Sequence, residues 1–117
     1  MGKKGDRLGS DSEAFQVQAV SKLAPLGGVT SRKMFGGFGI FHDGAMFGIV
    51  SGTSLFLKVD DTNIAEYQDA GSKQHAPMPY YAVPETIYAR KASLHRWALK
   101  AIGVAHAGAA KKGARKK

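Results

Sequence analysis

The chain has 117 residues and no cysteine, which excludes disulfides, thiolate metal ligands and cysteine nucleophiles. Seventeen Lys and Arg stand against nine Asp and Glu, a formal net charge of +8, but five of the last seven residues are basic. Residues 14–110 hold nine basic and six acidic side chains, so the positive charge says little about partners of the folded part.

We expect one domain at residues 11–108, between a flexible N-terminus at 1–10 and a disordered basic tail at 109–117. The N-terminus has no apolar core typical of a secretion signal. The most apolar stretch, 34–57, is interrupted by His42, Asp43 and several glycines, which argues against a membrane span. A cytoplasmic protein is therefore expected.

The first predicted element is a helix that begins near Ser10, Asp11 or Ser12 and runs to about Ala24. Helix-breaking residues follow at once in the sequence "PLGG". Its apolar side chains recur at helical spacing and should form the buried side: Phe15, Ala19, Val20 and Leu23.

The period then changes from helical to extended. Asp43-Gly44 lies between two apolar runs, which is the strongest short-range signal of a β-hairpin. A second turn, "SGT", precedes the alternating run "SLFLKV". This spacing predicts three antiparallel strands, at about 36–42, 45–51 and 54–59.

The C-terminal half predicts a short helix, a strand and a last helical region. Asp60 or Asp61 is suited to cap the short helix, and Gly71 to end it. "YYAV" is typical of a strand, and Pro84-Glu85 of a helix start. The last helix carries an apolar stripe at helical spacing: Leu94, Trp97, Ala98, Ala101, Ile102 and Ala105.

The predicted order is therefore α-β-β-β-α-β-α. Strands and helices are segregated and no βαβ unit repeats, which indicates an α+β fold. We expect an antiparallel sheet of four to five strands, a three-stranded meander plus a later strand, packed by helices on one face.

The glycine cluster in "SRKMFGGFGIF" raises the question of a phosphate site. A phosphate-binding loop requires Lys followed by Ser or Thr after its last glycine, and here the basic residues come before the glycines. A dinucleotide fingerprint requires a further glycine where His42 stands, and a helix after it. Both templates fail. We interpret Gly36, Gly37 and Gly39 as positions where neighbouring groups approach the backbone closely.

These residues also carry a resemblance to a known family. The run "RKMFGGFG", followed in order by "DG", "LKVDD" and "YYAVPE", closely resembles the N-terminal domain of the TfoX/Sxy bacterial competence regulators. The resemblance covers about residues 14–103. It implies an α+β domain that regulates competence genes, in a family thought to act with the cyclic-AMP receptor protein at promoters. It supplies no catalytic residues to transfer to this sequence.

Two departures from the family pattern matter. Many members carry a C-terminal domain with helix-hairpin-helix-like character, and this chain ends where that domain would begin, so we expect a stand-alone N-terminal unit. The segment before "YY" is shortened to "SKQHAP", which would remove or shorten a strand. An exposed edge strand there could support a weak homodimer of an otherwise monomeric protein.

Four adjacent residues are the candidate contact for a protein partner: Arg32, Lys33, Met34 and Phe35. An exposed lead-in to the first strand is the simpler interpretation of the two cations, and core packing that of the other two. The candidate nucleic-acid contacts are the basic residues of the tail: Lys111, Lys112, Arg115, Lys116 and Lys117. A solubilising tail is the alternative.

Signals of catalysis or metal binding are weak. The histidines at 42, 75, 95 and 106 show no ligand spacing, so we expect no metal site and no cofactor. Asp60-Asp61 could act as an acid–base pair, but helix capping is simpler. Tyr80 and Tyr81 alternate in a strand, so only one of them could stack on a ligand. We expect a non-catalytic regulatory domain that contacts a protein in transcription control, or, alternatively, weak non-specific nucleic-acid binding by the tail.

Overall fold

The computed structural model describes residues 4–34 and 37–116; the side chains of residues 4–11 and 109–116 lie outside that description. The elements follow one another as α1 (Lys4–Leu23), a single 3-10 turn (Ala24–Leu26), β1 (Val29–Met34), β2 (Gly37–His42), β3 (Ala45–Ser51), β4 (Ser54–Lys58), α2 (Ile64–Asp69), β5 (Tyr80–Ala82), α3 (Glu85–Ala89) and α4 (Lys91–Lys116).

The five strands form one antiparallel sheet in the order β1-β2-β3-β4-β5. The α+β fold and the five-stranded count agree with the prediction. The predicted Asp43-Gly44 hairpin is confirmed: both residues have positive φ, 47° and 87°, as the favoured two-residue hairpin turn requires. The register shifts between Ile40, opposite Gly48, and Phe41, opposite Met46, so Phe47 is the extra residue of a bulge in β3.

One strand was not predicted. β1 occupies residues that the sequence suggested were only a lead-in, and it pairs with β2 along its whole length, from Val29 opposite His42 to Met34 opposite Gly37. The order therefore has four strands, not three, between the first two helices. β1 was missed because most of its side chains are exposed and no apolar alternation marks it.

The helices pack on one face of the sheet. The predicted stripe of α4 is buried throughout, and Ala19 and Leu23 of α1 join it over the inward side chains of the central strands. The core consists of these helix residues, Tyr67 of α2 and the inward residues of the strands and of the position after β4. The last group is Ile40, Phe47, Val50, Leu55, Leu57 and Val59. We call the other side of the sheet the helix-free face.

The helix boundaries differ from the prediction at several points. α1 begins at Lys4, before the predicted caps at 10–12, and the backbone of α4 continues to Lys116. Arg90 adopts an extended conformation and separates α3 from α4. The mobility expected for residues 1–10 and 109–117 remains a prediction.

α2 begins at Ile64, later than capping by Asp60 or Asp61 implied. Asp60 caps the preceding turn instead, since Oδ1 accepts from the amide of Thr62 at 2.8 Å. The buried Asn63 fixes this connection: Oδ1 accepts from the Asp60 amide at 2.8 Å and Nδ2 donates to the Lys58 carbonyl at 3.1 Å. A buried amide with both ends paired incurs little desolvation penalty.

The segment 72–79, which contains the shortened stretch 72–77, covers the edge of β5. Ala82 N donates to Lys73 O at 2.9 Å, His75 N donates to Tyr80 O at 2.8 Å, and Gln74 forms a β-bridge with Tyr81. The prediction of an exposed edge strand at this segment is therefore wrong. The segment also reaches the helix-free face, where the His75 ring meets Phe56 edge-to-face, with centroids 4.9 Å apart.

Candidate interaction surface

The four predicted contact residues do not form one patch. Side chains alternate along a strand, so Arg32 and Met34 lie on the helix-free face and Lys33 on the other. Lys33 pairs with Phe38, whose ring packs against the core, which places Lys33 on the helix side. All three described residues are exposed. Phe35, the fourth, lies outside the described residues.

Arg32 is held over an aromatic ring. Its guanidinium carbon lies 5.3 Å from the centroid of Phe41, which is within cation–π range. The contact orients the guanidinium on the helix-free face while leaving it exposed. An oriented, exposed guanidinium can form paired hydrogen bonds with a carboxylate.

Met34 borders an apolar cavity of about 350 Å³. The residue is 40% exposed, so its side chain is accessible to a partner. The cavity lies at the junction of β1, β2 and β3 with the segment 72–79, and its lining is Met34, Gly37, Phe38, Met46, Ile49, Val50, Ser51, His75 and Met78. Three methionines in one lining make it adaptable in shape, because the thioether chain has three soft rotations.

The glycines of β2 create the space for this lining. A Cβ built on Gly39 would lie 2.5 Å from the sulfur of Met34 and 2.9 Å from that of Met46. A Cβ on Gly37 would overlap the Val50 carbonyl oxygen, which belongs to the neighbouring strand. The close-approach interpretation is therefore confirmed for Gly37 and Gly39, while Gly36 lies outside the described residues. The hollow beside them is apolar and lacks the cationic lining of a phosphate site.

Tyr80 forms part of the floor of the helix-free face. Its hydroxyl donates to the Met46 carbonyl at 3.3 Å, and burial raises its pKa to about 12. Tyr81 lies on the opposite face, 6.0 Å from Tyr67 between ring centroids. The predicted split of the two tyrosines is confirmed. Neither ring is exposed.

A larger depression of about 540 Å³ lies elsewhere, between α1, α3 and β4. It is more open to solvent and contains none of the predicted site residues. Its lining mixes apolar and polar side chains, among them Phe15, Tyr88, Thr86 and Glu85. We regard the cavity beside Met34 as the better candidate because it is more enclosed and continuous with exposed residues of β1.

The structure brings together two histidines that the sequence kept apart. His42 Nδ1 lies 2.9 Å from His106 Nε2, although 64 positions separate the residues. Their spacing gave no signal because only the packing of α4 on the sheet joins them. Among the side chains that the structure describes, at 12–34 and 37–108, no group of three or more acidic or histidine residues could hold a metal ion.

The structure describes the basic tail by its backbone alone. The backbone of α4 is helical through Lys111, Lys112, Arg115 and Lys116, whose side chains lie outside the described part, as does Lys117. Among the helices that the structure describes, none combines the length and apolarity needed to cross a bilayer.

The fold and surface define a small α+β domain with helices on one face of the sheet, and with an apolar hollow and the exposed Arg32 on the other. The TfoX N-terminal domain model matches residues 21–105 of the 117-residue chain. The chain belongs to the TfoX N-terminal domain family and is a competence-regulator-like domain. A search of curated proteins finds no match.

Proposed function

We propose that this domain is a non-catalytic regulatory module that acts by protein–protein contact in transcription control. The observation that carries the proposal is the apolar cavity on the helix-free face, beside exposed Met34 and oriented Arg32. Apolar contact area next to an exposed guanidinium is typical of the centre and rim of protein interfaces. Membership of the TfoX N-terminal domain family supports a regulatory role.

The chemistry of the cavity supports a non-catalytic role. On the helix-free face its lining offers the side chains of three methionines and Ile49, with Ser51 and His75 as its polar members. The described atoms of these two residues make no hydrogen bond to each other, and Nδ1 of His75 is buried without a partner. Acid–base or nucleophilic catalysis requires such groups to be paired and oriented.

We propose that the domain acts in the cytoplasm, as a monomer or weak homodimer, as the proposed role in transcription requires. Its partner in this proposal belongs to the transcription machinery. No cofactor is needed for the proposed contact.

One substitution at the cavity tests the proposal, and a second substitution elsewhere is its matched control. Met34→Asp places a charge beside the cavity, whereas Leu99→Asp does so at another exposed apolar side chain, 55% exposed on α4. In a strain that lacks the chromosomal copy, transcripts that depend on the protein should be restored by the wild type and by Leu99→Asp, but not by Met34→Asp. Equal restoration by all three, with equal protein levels, contradicts the proposal.

A second function rests on the tail. Five of the last seven residues are basic, and a polycation binds duplex DNA by releasing counterions. If all five charges contact phosphates, affinity should fall about 500-fold between about 50 and 200 mM salt. A mobility shift that disappears on truncation after Ala110 supports this function. If the mobility shift persists in the truncated chain, the DNA-binding site lies elsewhere. If the full chain gives no mobility shift, the proposed DNA binding is contradicted.

A further inference from the structure

The sheet has one uncovered edge in the part of the chain that the structure describes. β1 and β5 are its outer strands. The outer side of β5 is occupied by Lys73 and His75, through hydrogen bonds to Ala82 and Tyr80. No described segment forms a backbone hydrogen bond with the outer side of β1.

The register shows which backbone groups face outward. Asp43 N donates to Gly28 O at 3.0 Å, and hydrogen-bonded pairs alternate along an antiparallel ladder. The same register then gives ladder bonds to Thr30, Arg32 and Met34. The N–H and C=O groups of the intervening residues point away from β2: Val29, Ser31 and Lys33.

The side chains of this edge are positively charged and partly apolar. Arg32 and Lys33 are both exposed and lie on opposite faces of the sheet. Neither β1 nor β2 contains an acidic residue to neutralise them. Met34 follows, with its side chain at the mouth of the apolar cavity. The edge thus presents two cations and then an apolar site.

We propose that the outer edge of β1 binds an extended acidic segment of a partner protein, which adds to the sheet as a sixth strand. Backbone hydrogen bonds to Val29, Ser31 and Lys33 supply the pairing, as in other strand-addition complexes. Two successive acidic residues then lie opposite Arg32 and Lys33, one on each face. An apolar residue beside them contacts Met34 and the cavity. This inference rests on the proposed protein–protein function.

Charge argues for such a partner over a second copy of this chain. Antiparallel pairing of two β1 strands brings four cations onto one two-stranded ribbon, and like charges on neighbouring strands are destabilising. Lysine and arginine on an edge are a known protection against self-pairing. An acidic strand converts the same charges into favourable cross-strand pairs.

The test uses the full chain and three labelled peptides. The probe is Thr-Val-Glu-Glu-Ile-Thr, with a Lys-Lys version and a version N-methylated at alternate residues as controls. We expect the Glu-Glu peptide to bind at least tenfold more tightly than either control. On binding, the amides of Val29, Ser31 and Lys33 should become protected from hydrogen exchange, while those of Thr30 and Arg32, bonded to β2, should change little.

A charge exchange provides the second arm. Arg32→Glu combined with Lys33→Glu should reverse the preference, so that the Lys-Lys peptide binds at least tenfold better than the Glu-Glu peptide. Because both side chains are exposed, this variant should fold. Equal binding of the unmethylated and methylated peptides, or protection on another strand, overturns the proposal.

The outcomes also separate this inference from the proposed function. If no peptide protects β1 but Met34→Asp still abolishes transcript restoration, the partner contact stands and strand addition is wrong. If neither effect occurs, both fail. If the chain alone protects Val29, Ser31 and Lys33 with rising concentration and sediments as a dimer, the occupant is a second copy and the proposal is wrong.

Discussion

His42 and His106 meet edge-to-face, with ring centroids 5.1 Å apart, planes at 88°, and a nitrogen-to-nitrogen distance of 2.9 Å. The contact packs the end of β2 against α4. It requires one nitrogen to carry a hydrogen and the other to accept it, so the two rings depend on each other.

This dependence predicts a measurable coupling. His42→Ala and His106→Ala, combined in a double-mutant cycle at neutral pH, should show an interaction free energy of about 0.5–1.5 kcal/mol, the usual net value of a hydrogen bond. Urea unfolding of the four proteins measures it. His95, whose Nε2 lies 2.6 Å from the Lys22 carbonyl instead, provides the control. His42→Ala with His95→Ala should be additive to within about 0.5 kcal/mol.

The three glycines at 37, 39 and 103 should respond differently to alanine. Gly37→Ala forces a methyl group onto the Val50 carbonyl and should lower the free energy of unfolding by about 3 kcal/mol. Gly39→Ala meets the flexible ends of Met34 and Met46, which can move, so about 1 kcal/mol is expected.

Gly103 is the control for this series. It is exposed within α4 and nothing lies within 4 Å of its added Cβ, so Gly103→Ala should raise stability by about 1 kcal/mol through helix propensity. Thermal unfolding of the three variants gives the ranking. A Gly37→Ala protein as stable as the wild type would show that β2 and β3 are not so close.

Tyr67 should tolerate loss of its hydroxyl. The ring packs 4.5 Å from Trp97 between centroids, but the hydroxyl is buried and has no hydrogen-bond partner among the described residues. Burial together with the nearby Glu66 charge raises the pKa of this hydroxyl. An unpaired buried hydroxyl carries a desolvation penalty, so Tyr67→Phe should be stabilising by about 1 kcal/mol. Tyr80→Phe removes the bond to Met46 and should be destabilising by about 1 kcal/mol. Equal effects in urea unfolding would contradict this contrast.

Glu66 joins α2 to α4 and should give a pH-dependent contribution. Burial raises the pKa of this carboxyl, but hydrogen bonds from Lys100 and Arg96, each at 3.0 Å, outweigh burial and hold the pKa below its ordinary value. A depressed pKa in the folded state means that the stabilisation is present above the unfolded value and is lost as pH falls through the folded one.

Glu66→Gln should therefore lower the free energy of unfolding by about 0.5 kcal/mol at neutral pH, a magnitude typical of exposed ion pairs. The difference from the wild type should shrink as the pH falls below the usual range of glutamate, because the carboxylate becomes protonated. Asp69→Asn, an exposed carboxylate at the end of the same helix, should have little effect at neutral or acidic pH. A Glu66→Gln difference that persists unchanged in acid would refute the ion-pair explanation.

The sequence predicted the elements whose signals are local. Asp43-Gly44 determines its own turn, and the stripe from Leu94 to Ala105 defines its own buried face. β1 was not predicted because "VTSRKM" shows little apolar alternation. An edge strand is held by backbone hydrogen bonds to its neighbour, and the pattern of side chains does not reveal these bonds. Because β1 was not predicted, the sequence also did not reveal that Arg32 and Lys33 lie on opposite faces of the sheet.

The candidate surface could be predicted only in part. Met34 and Arg32 were identified from their position beside the glycines, but the cavity depends on Met46 and Met78, which come from a neighbouring strand and a distant loop. The His42–His106 pair likewise depends on how α4 crosses the sheet. Such contacts are made by tertiary packing, and no spacing within one segment encodes them.

The covering of β5 by residues 73–75 has a further consequence for assembly. A sheet that can be extended on both sides can propagate into filaments, whereas this one has room for a single added strand. Each copy of the chain can therefore add a partner strand only at β1, which disfavours filaments that grow by extending this sheet through both of its edges.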